Sequence, residues 1–270
     1  SITGAGANGS GTDNQGVVVQ NAASVSSTDV AGISITGSAT SGDDIELNTS
    51  GSIGGGAASG DITLTANTLV LAGSVNVQSS GALTIAPRTA ATAINVGTGA
   101  TDTGLQLDDT ELALLADGFS SITIGDATSG TGTATISNAT IVDDVMIVGG
   151  ELSVTQLVAN DSADDGDGTG LRSATLIARA GAITDGGDAG PDVTASDLVA
   201  TSTSGVGTAL NAIDTTIERL EAVGGTVGVF VSNSADVAIG GISATNGVSA
   251  SNANISITAE GTITTSEAVN

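Results

Sequence analysis

The 270-residue chain reads as all-β, with short strands wound into one continuous parallel solenoid across residues 1–270. Three observations lead to that fold class. Apolar and polar residues alternate in short triplets along nearly the whole chain, which is the period of a strand. The apolar mass is Val, Ile, Leu and Ala, with two Phe, no Tyr and no Trp. Gly contributes 40 residues and Pro only 2, so small corners separate the triplets.

The triplets begin at GVVVQ (16–20), GISITG (32–37) and DDIELNTSG (43–51). Residues 60–87, GDITLTANTLVLAGSVNVQSSGALTIAP, hold four of them, at 62–64, 69–71, 75–77 and 83–85. AINVG (93–97), SITIGD (121–126), ATISN (134–138), VMIVGG (145–150) and ELSVT (151–155) continue the pattern. ATLIARAG (174–181), VGVFVSN (227–233), DVAIGG (236–241) and NISITAEGTI (254–263) complete it. Such strands are shorter than those of a sandwich, and the breaks are irregular, many offering only a corner where a hairpin wants a two-residue Asn-Gly or Asp-Gly turn. In a solenoid each coil hydrogen-bonds to the next at ~4.8 Å, so inward side chains stack in files. Aliphatic side chains fill so narrow a tube well and rings fill it poorly. At roughly 20 residues per coil the chain makes about 13 coils and a rod of about 60 Å. The repeat is not strict, and the spacing leaves the coil register open.

Two stretches depart from the alternation. In LDDTELALLADGF (107–119), Asp108 stands three residues before Glu111, as in a capping box. Leu112, Leu115 and Ala116 then share a helical face, which predicts a short helical turn near 109–116. AIDTTIERLEAVGG (212–225) fits either a helix over 214–223 or a strand with Leu220 and Ala222 inward.

Composition narrows the function. The mean hydropathy of +0.31 excludes disorder for most of the chain. There are 29 acidic residues against 4 basic ones, all Arg, and the net charge is −25. Nucleic acid and anionic membrane surfaces are therefore poor partners. Cations are favoured, calcium first, because its ligands are hard oxygens. The absence of Cys removes disulfides, zinc sites and thiol nucleophiles, and the absence of His removes a Ser-His-Asp triad. No apolar run reaches the ~20 residues of a membrane span. The opening SITGAGANGSG has neither a basic region nor an apolar core, so it reads as the interior of a longer or processed chain.

The richest acidic stretch is NDSADDGDGTG (160–170). Asp161, Asp164, Asp165 and Asp167 are the candidate calcium ligands on this Gly-flexed loop. No Glu falls at the twelfth position, so the loop is not an EF-hand. The competing reading is a solvated acidic loop. Asp43-Asp44, Asp108-Asp109, Asp143-Asp144, and Asp185, Asp188 and Asp192 sit beside strands, where Asp caps turns. The alternative use is a carboxylate pair of a polysaccharide-acting enzyme. Those acids do not recur at one repeat spacing, and no aromatic platform accompanies them. The only bases are Arg88, Arg172, Arg179 and Arg219, so the sequence reads as non-enzymatic. The Gly-rich runs 4–9 and 166–170 lack the Lys of a phosphate loop. Thr-x-Thr pairs such as Thr63-Thr65 and Thr133-Thr135 do not recur in register along the sequence, which argues against a flat hydroxyl face.

Two segments carry a family resemblance. Residues 83–130 contain Ala86-Pro87, Ile94 to Gly97, Leu105-Leu107, Glu111-Leu112 and Ile122 to Gly130 in order. This resembles a module of the large filamentous-haemagglutinin-like exoproteins of bacteria. Residues 201–241, TSTSGVGTALNAIDTTIERLEAVGGTVGVFVSNSADVAIGG, are similar to a second module of giant solenoid surface proteins, with Ala212-Ile213 where those proteins prefer Pro-Leu. The resemblance covers about a third of the chain and favours the strand reading of 212–225. It implies a right-handed parallel β-helix, secretion, and an adhesive or structural role at the bacterial cell surface.

The expected molecule is thus a stiff acidic rod, extracellular, self-associating end to end or continuing into neighbouring coils. An adhesin module that grips glycans or a receptor is the alternative.

Overall fold

The computed structural model describes residues 1–6, 14–27, 29–98, 103–161, 170–187, 190–243 and 247–270. Every strand ladder among them is parallel. The architecture is all-β and solenoid-like, as alternation and the missing rings predict.

The first wall is a 12-stranded sheet, eleven strands in one path and a twelfth, Val248–Ala250, paired beside Arg219–Gly224. It runs through Ile2–Ala5, Ile33–Ser38, Ile62–Thr65, Ala82–Ala86, Ser121–Ile124, Val145–Gly149, Ala174–Ala178, Asp197–Ser202, Arg219–Gly224, Val237–Ile239 and Ile263–Thr265. Strands that neighbour one another here are separated in sequence by a whole coil. Ile35 lies over Leu64, Leu64 over Ile85, Ile85 over Ile124 and Ile124 over Ile147. The coils are unequal in length, and the excess residues sit in the corners.

The other faces are built from the shorter strands. The second wall climbs through Leu105–Leu107, Ile94–Gly97, Ala134–Ser137, Leu152–Val154, Ile183–Asp185 and Gly205–Val206 to Gly228–Asn233. The third wall climbs through Ala139–Ile141, Leu157–Ala159, Val193–Thr194 and Ile213–Thr216 to the same strand. Gly228–Asn233 pairs with the second wall through Gly228 and Val229, and with the third through Val231, Ser232 and Asn233. The two faces fuse there because the intervening corner has gone. Below, two three-stranded sheets complete the N-terminal coils.

The core is the inside of this stack. Ile35, Ile62, Leu64, Leu83, Ile85, Ile122, Ile124 and Ile147 have no exposed surface. Their outward neighbours Thr63, Thr84 and Thr123 remain partly exposed. Two of the motif glycines close strands for a steric reason. Gly97 and Gly125 have φ of +90° and +112°, and a Cβ on either would stand 2.1 Å from a carbonyl oxygen of the next coil. Only glycine combines that backbone turn with so close an approach.

The capping box forms as expected. The Asp108 carboxylate accepts the Glu111 N–H at 2.9 Å, and Glu111 accepts the Asp108 N–H at 3.0 Å. The helix is shorter than predicted, Asp109–Leu112, because the chain is drawn back into the wall. The Leu114 carbonyl accepts the Val77 N–H, and the Ala116 N–H donates to Val77. Leu112 and Leu115 are buried as the helical spacing predicts. Residues 219–224 are a strand with Leu220 and Ala222 inward. The stacking order of one coil inverts the chain order. Leu105–Leu107 lies against Leu69–Leu71, and the earlier strand Ile94–Gly97 sits between it and Ala134–Ser137.

Inward and outward positions of one strand should therefore respond differently to truncation. Ile122→Ala is expected to cost about 2–5 kcal/mol through the cavity it leaves. Thr123→Ala should stay within about 0.5 kcal/mol. Urea denaturation of both variants measures the contrast, and equal losses would contradict the assigned register.

Candidate functional site

The carboxylates of this chain are placed by its corners. Where a strand ends, backbone N–H groups of the adjacent coil lose their ladder partners and are left to find another acceptor. Asp supplies one. Asp61 accepts the Ala82 N–H at 2.9 Å, Asp144 that of Ser173 at 3.0 Å, and Asp236 that of Thr262 at 2.6 Å. Asp44 bridges the Ala39 and Asn67 N–H groups, both at 2.6 Å. Glu221, with no exposed surface, accepts from the Ile242 and Ser243 N–H groups and from the Ser243 hydroxyl. Asn233 does the same work without charge. Its Oδ1 accepts the Ile217 N–H, and its Nδ2 donates to the Ile217, Ala235 and Asp236 carbonyls.

The four arginines are engaged as well. Arg219 clamps Asp197 through Nε at 2.6 Å and Nη2 at 2.7 Å. Arg172 pairs with Asp161 at 2.8 Å, and Arg88 lies 3.7 Å from Asp44. Arg179 donates to the Ala127 and Thr128 carbonyls.

Of the candidate calcium ligands, Asp161 lies in the described structure, and Asp164, Asp165 and Asp167 lie outside the described residues. The loop leaves the corner between the third and first walls. Its stem is an antiparallel bridge between Asn160 and Leu171, closed by the Asp161 N–H donating to Gly170 at 2.9 Å. The Asp161 carboxylate turns onto Arg172. Among the described residues no group of three or more acidic side chains is arranged to hold a metal ion.

The acid pairs do not converge on one site. Asp43 and Glu111 border a cleft of about 310 Å³ with Asp108, Thr68 and Gln106. Burial raises both Asp43 and Glu111 above the ordinary carboxylate range, and neighbouring acids add to it. Asp143 lies at the stem of the acidic loop. It accepts the Gly118 and Phe119 N–H groups at 3.2 and 3.3 Å, yet burial outweighs them and pushes it up to about 6. Asp185 and Asp192 meet at the corner between the second and third walls. Asp188 lies outside the described residues.

Two further surfaces escaped the sequence reading. Ser34, Thr63, Thr84 and Thr123 stand in one outward file on the first wall, ended by Met146. The Thr-x-Thr pairs themselves do not continue in register: Thr84 pairs with Thr63 but Ala86 with Thr65, and Thr135 lies on the second wall. An open groove of about 710 Å³ runs along the outer side of Ile217, Glu218, Ala235, Asp236, Thr262 and Thr264.

The raised Asp143 gives a signed pH effect. Its folded value lies above the unfolded 3.8, so its contribution to stability is complete below 3.8 and lost as pH rises through about 6. Asp143→Asn should flatten the stability profile over that window in urea titrations at successive pH values. An unchanged profile would refute the burial of this carboxyl.

Comparison with family models, curated proteins and solved structures yields no match to this chain.

Proposed function

We propose that this chain is a structural, non-catalytic segment of a secreted bacterial cell-surface protein, a stiff acidic rod in an adhesin or extracellular filament. The observation that carries this reading is the unbroken stack. The first wall passes through successive coils with aliphatic side chains in register, and the corner carboxylates serve backbone N–H groups of adjacent coils. Such a body resists bending because each coil is bonded to both neighbours. The right-handed winding and the filamentous-haemagglutinin-like relationship belong to this proposal. They rest on the residues of 83–130 and 201–241, whose motif positions fall on strands, the capped helix and the strand-closing glycines.

The proposal includes the partner. Strand edges are templates for further pairing. Ile2–Ala5 and Ile263–Thr265 are terminal strands of the first wall, and Ile2 and Ile263 are exposed. Those edges receive further coils, from the same polypeptide or from another copy. The net charge of −25 keeps single rods apart until salt screens it. Calcium at the 160–170 loop is a subsidiary part of the proposal. Its ligands would come from Asp161, Asp164, Asp165 and Asp167, with Asp161 shared with Arg172.

A second reading is favoured by the groove at Ile217, Asp236 and Thr264. It is open, and its largely apolar lining of Ile217, Ala235 and Val237 is edged by Thr262, Thr264, Glu218 and Asp236, a mixture that suits the CH faces and hydroxyls of a glycan.

Negative-stain electron microscopy tests the primary reading. Thin rods are expected, with end-to-end association increasing at higher salt. Compact round particles at every salt concentration would overturn it, and glycan-array binding lost on Asp236→Ala would favour the second.

A further inference from the structure

One pair of acids goes beyond the corner scheme: each accepts a backbone N–H, Asp185 that of Gly187 at 2.6 Å and Asp192 that of Asp214, and the two carboxyls also face each other. Asp185 ends the strand Ile183–Asp185 and stands in register over Val154, at a file that carries Val96, Ile136 and Val154 beneath it. An acid thus takes a place built for an aliphatic side chain. The chain then leaves the wall and returns at Pro191 and Asp192, just before Val193–Thr194.

Asp192 is only 1% exposed. Its carbonyl accepts the Leu157 N–H at 2.7 Å, and its Oδ2 accepts the Asp214 N–H at 2.8 Å. Its Oδ1 is buried and meets no hydrogen-bond donor among the described residues. The carboxyl of Asp185 lies within hydrogen-bonding reach of it, and Asp214, on the coil above, adds a further negative charge. Two ionised carboxylates in contact repel, the more so when one of them, Asp192, is buried. A buried acceptor without a donor is costly in its own right.

We propose that Asp192 holds a proton at neutral pH and donates it to the carboxyl group of Asp185, forming a clasp that closes the corner between the second and third walls. The inference needs only this corner and stands apart from the rod reading. The proton makes Oδ1 a donor to Asp185, where the described residues offer it no partner, and removes one of two like charges. Burial is the largest cause and the charges of Asp185 and Asp214 add to it. Against the opposing Asp214 N–H, they push Asp192 up to about 8. Because that value lies above the unfolded 3.8, the clasp stabilises fully below 3.8 and is lost as pH rises through about 8. The rod is thereby sensitive to alkali at one defined corner.

Infrared spectroscopy of the wild type reads the proton directly. A protonated-carboxyl band is expected at neutral pH, titrating away near pH 8, and absent in Asp192→Asn. That variant keeps an oxygen for the Asp214 N–H and offers Asp185 an N–H in place of the O–H. Thermal melts from about pH 6 to about pH 9 should fall steeply for the wild type and little for Asp192→Asn or Asp185→Asn. Asp143→Asn is the control, and it should keep the wild-type slope above neutral pH. No band in the wild type titrating near pH 8, or equal slopes in wild type and Asp192→Asn, would overturn the clasp. Calcium chloride that abolishes the band at neutral pH and raises the melting point of the wild type alone would also overturn it, by showing a cation site. The wild-type band is readable whether or not the variants fold.

Discussion

Everything in this molecule depends on side chains meeting their counterparts one coil away. Parallel stacking at ~4.8 Å places each inward residue over another with little lateral room. A ring in one coil would need rings or holes in the next, whereas Ile, Leu, Val and Ala tolerate one another. Volume is balanced within coils as well as between them. Where the file Ile124, Ile147 and Leu176 shrinks to Ala200 and Ala222, the neighbouring file grows from Ala174 to Leu198 and Leu220. The interior keeps its width although its residues change.

The acidity belongs to the same construction. Parallel strands joined by tight corners strand backbone N–H groups at every turn. A short carboxylate reaches back to them with a charge-assisted bond of about 1.5–3 kcal/mol. Asp44, Asp61, Asp144, Asp236 and Glu221 all serve that purpose. Much of the negative charge is therefore part of the framework, and its repulsion is a cost carried along with the bonds. Ser79 and Ser202 do the same at buried corners without the charge, each hydroxyl donating to one carbonyl and accepting a neighbouring N–H.

Strand class, solenoid stacking and the capping box were legible in the sequence because each is a local pattern. Alternation marked Ile62, Leu64, Leu83 and Ile85, and Asp108 with Glu111 marked the helix start. The strands Ile183–Asp185, Val193–Thr194 and Gly205–Val206 were missed because they are too short to show a period. The file of Ser34, Thr63, Thr84 and Thr123 was hidden by unequal corners, which set register through distant pairing. The meeting of Asp185 with Asp192 was equally invisible. Only the fold shows that Asp185 occupies an aliphatic file, although an acid at the third place of the alternating triplet Ile183, Thr184, Asp185 was the available signal.

The inverted coil has a bearing on how the chain can be assembled. A solenoid built strictly from its N-terminus would lay each turn on the one just finished. Here Ile94–Gly97 has no ledge to rest on until Leu105–Leu107 arrives and settles against Leu69–Leu71. The earlier strand must wait, undocked, for the later one. Winding from the N-terminus therefore meets a break in its order at this coil, where two strands have to settle as a pair.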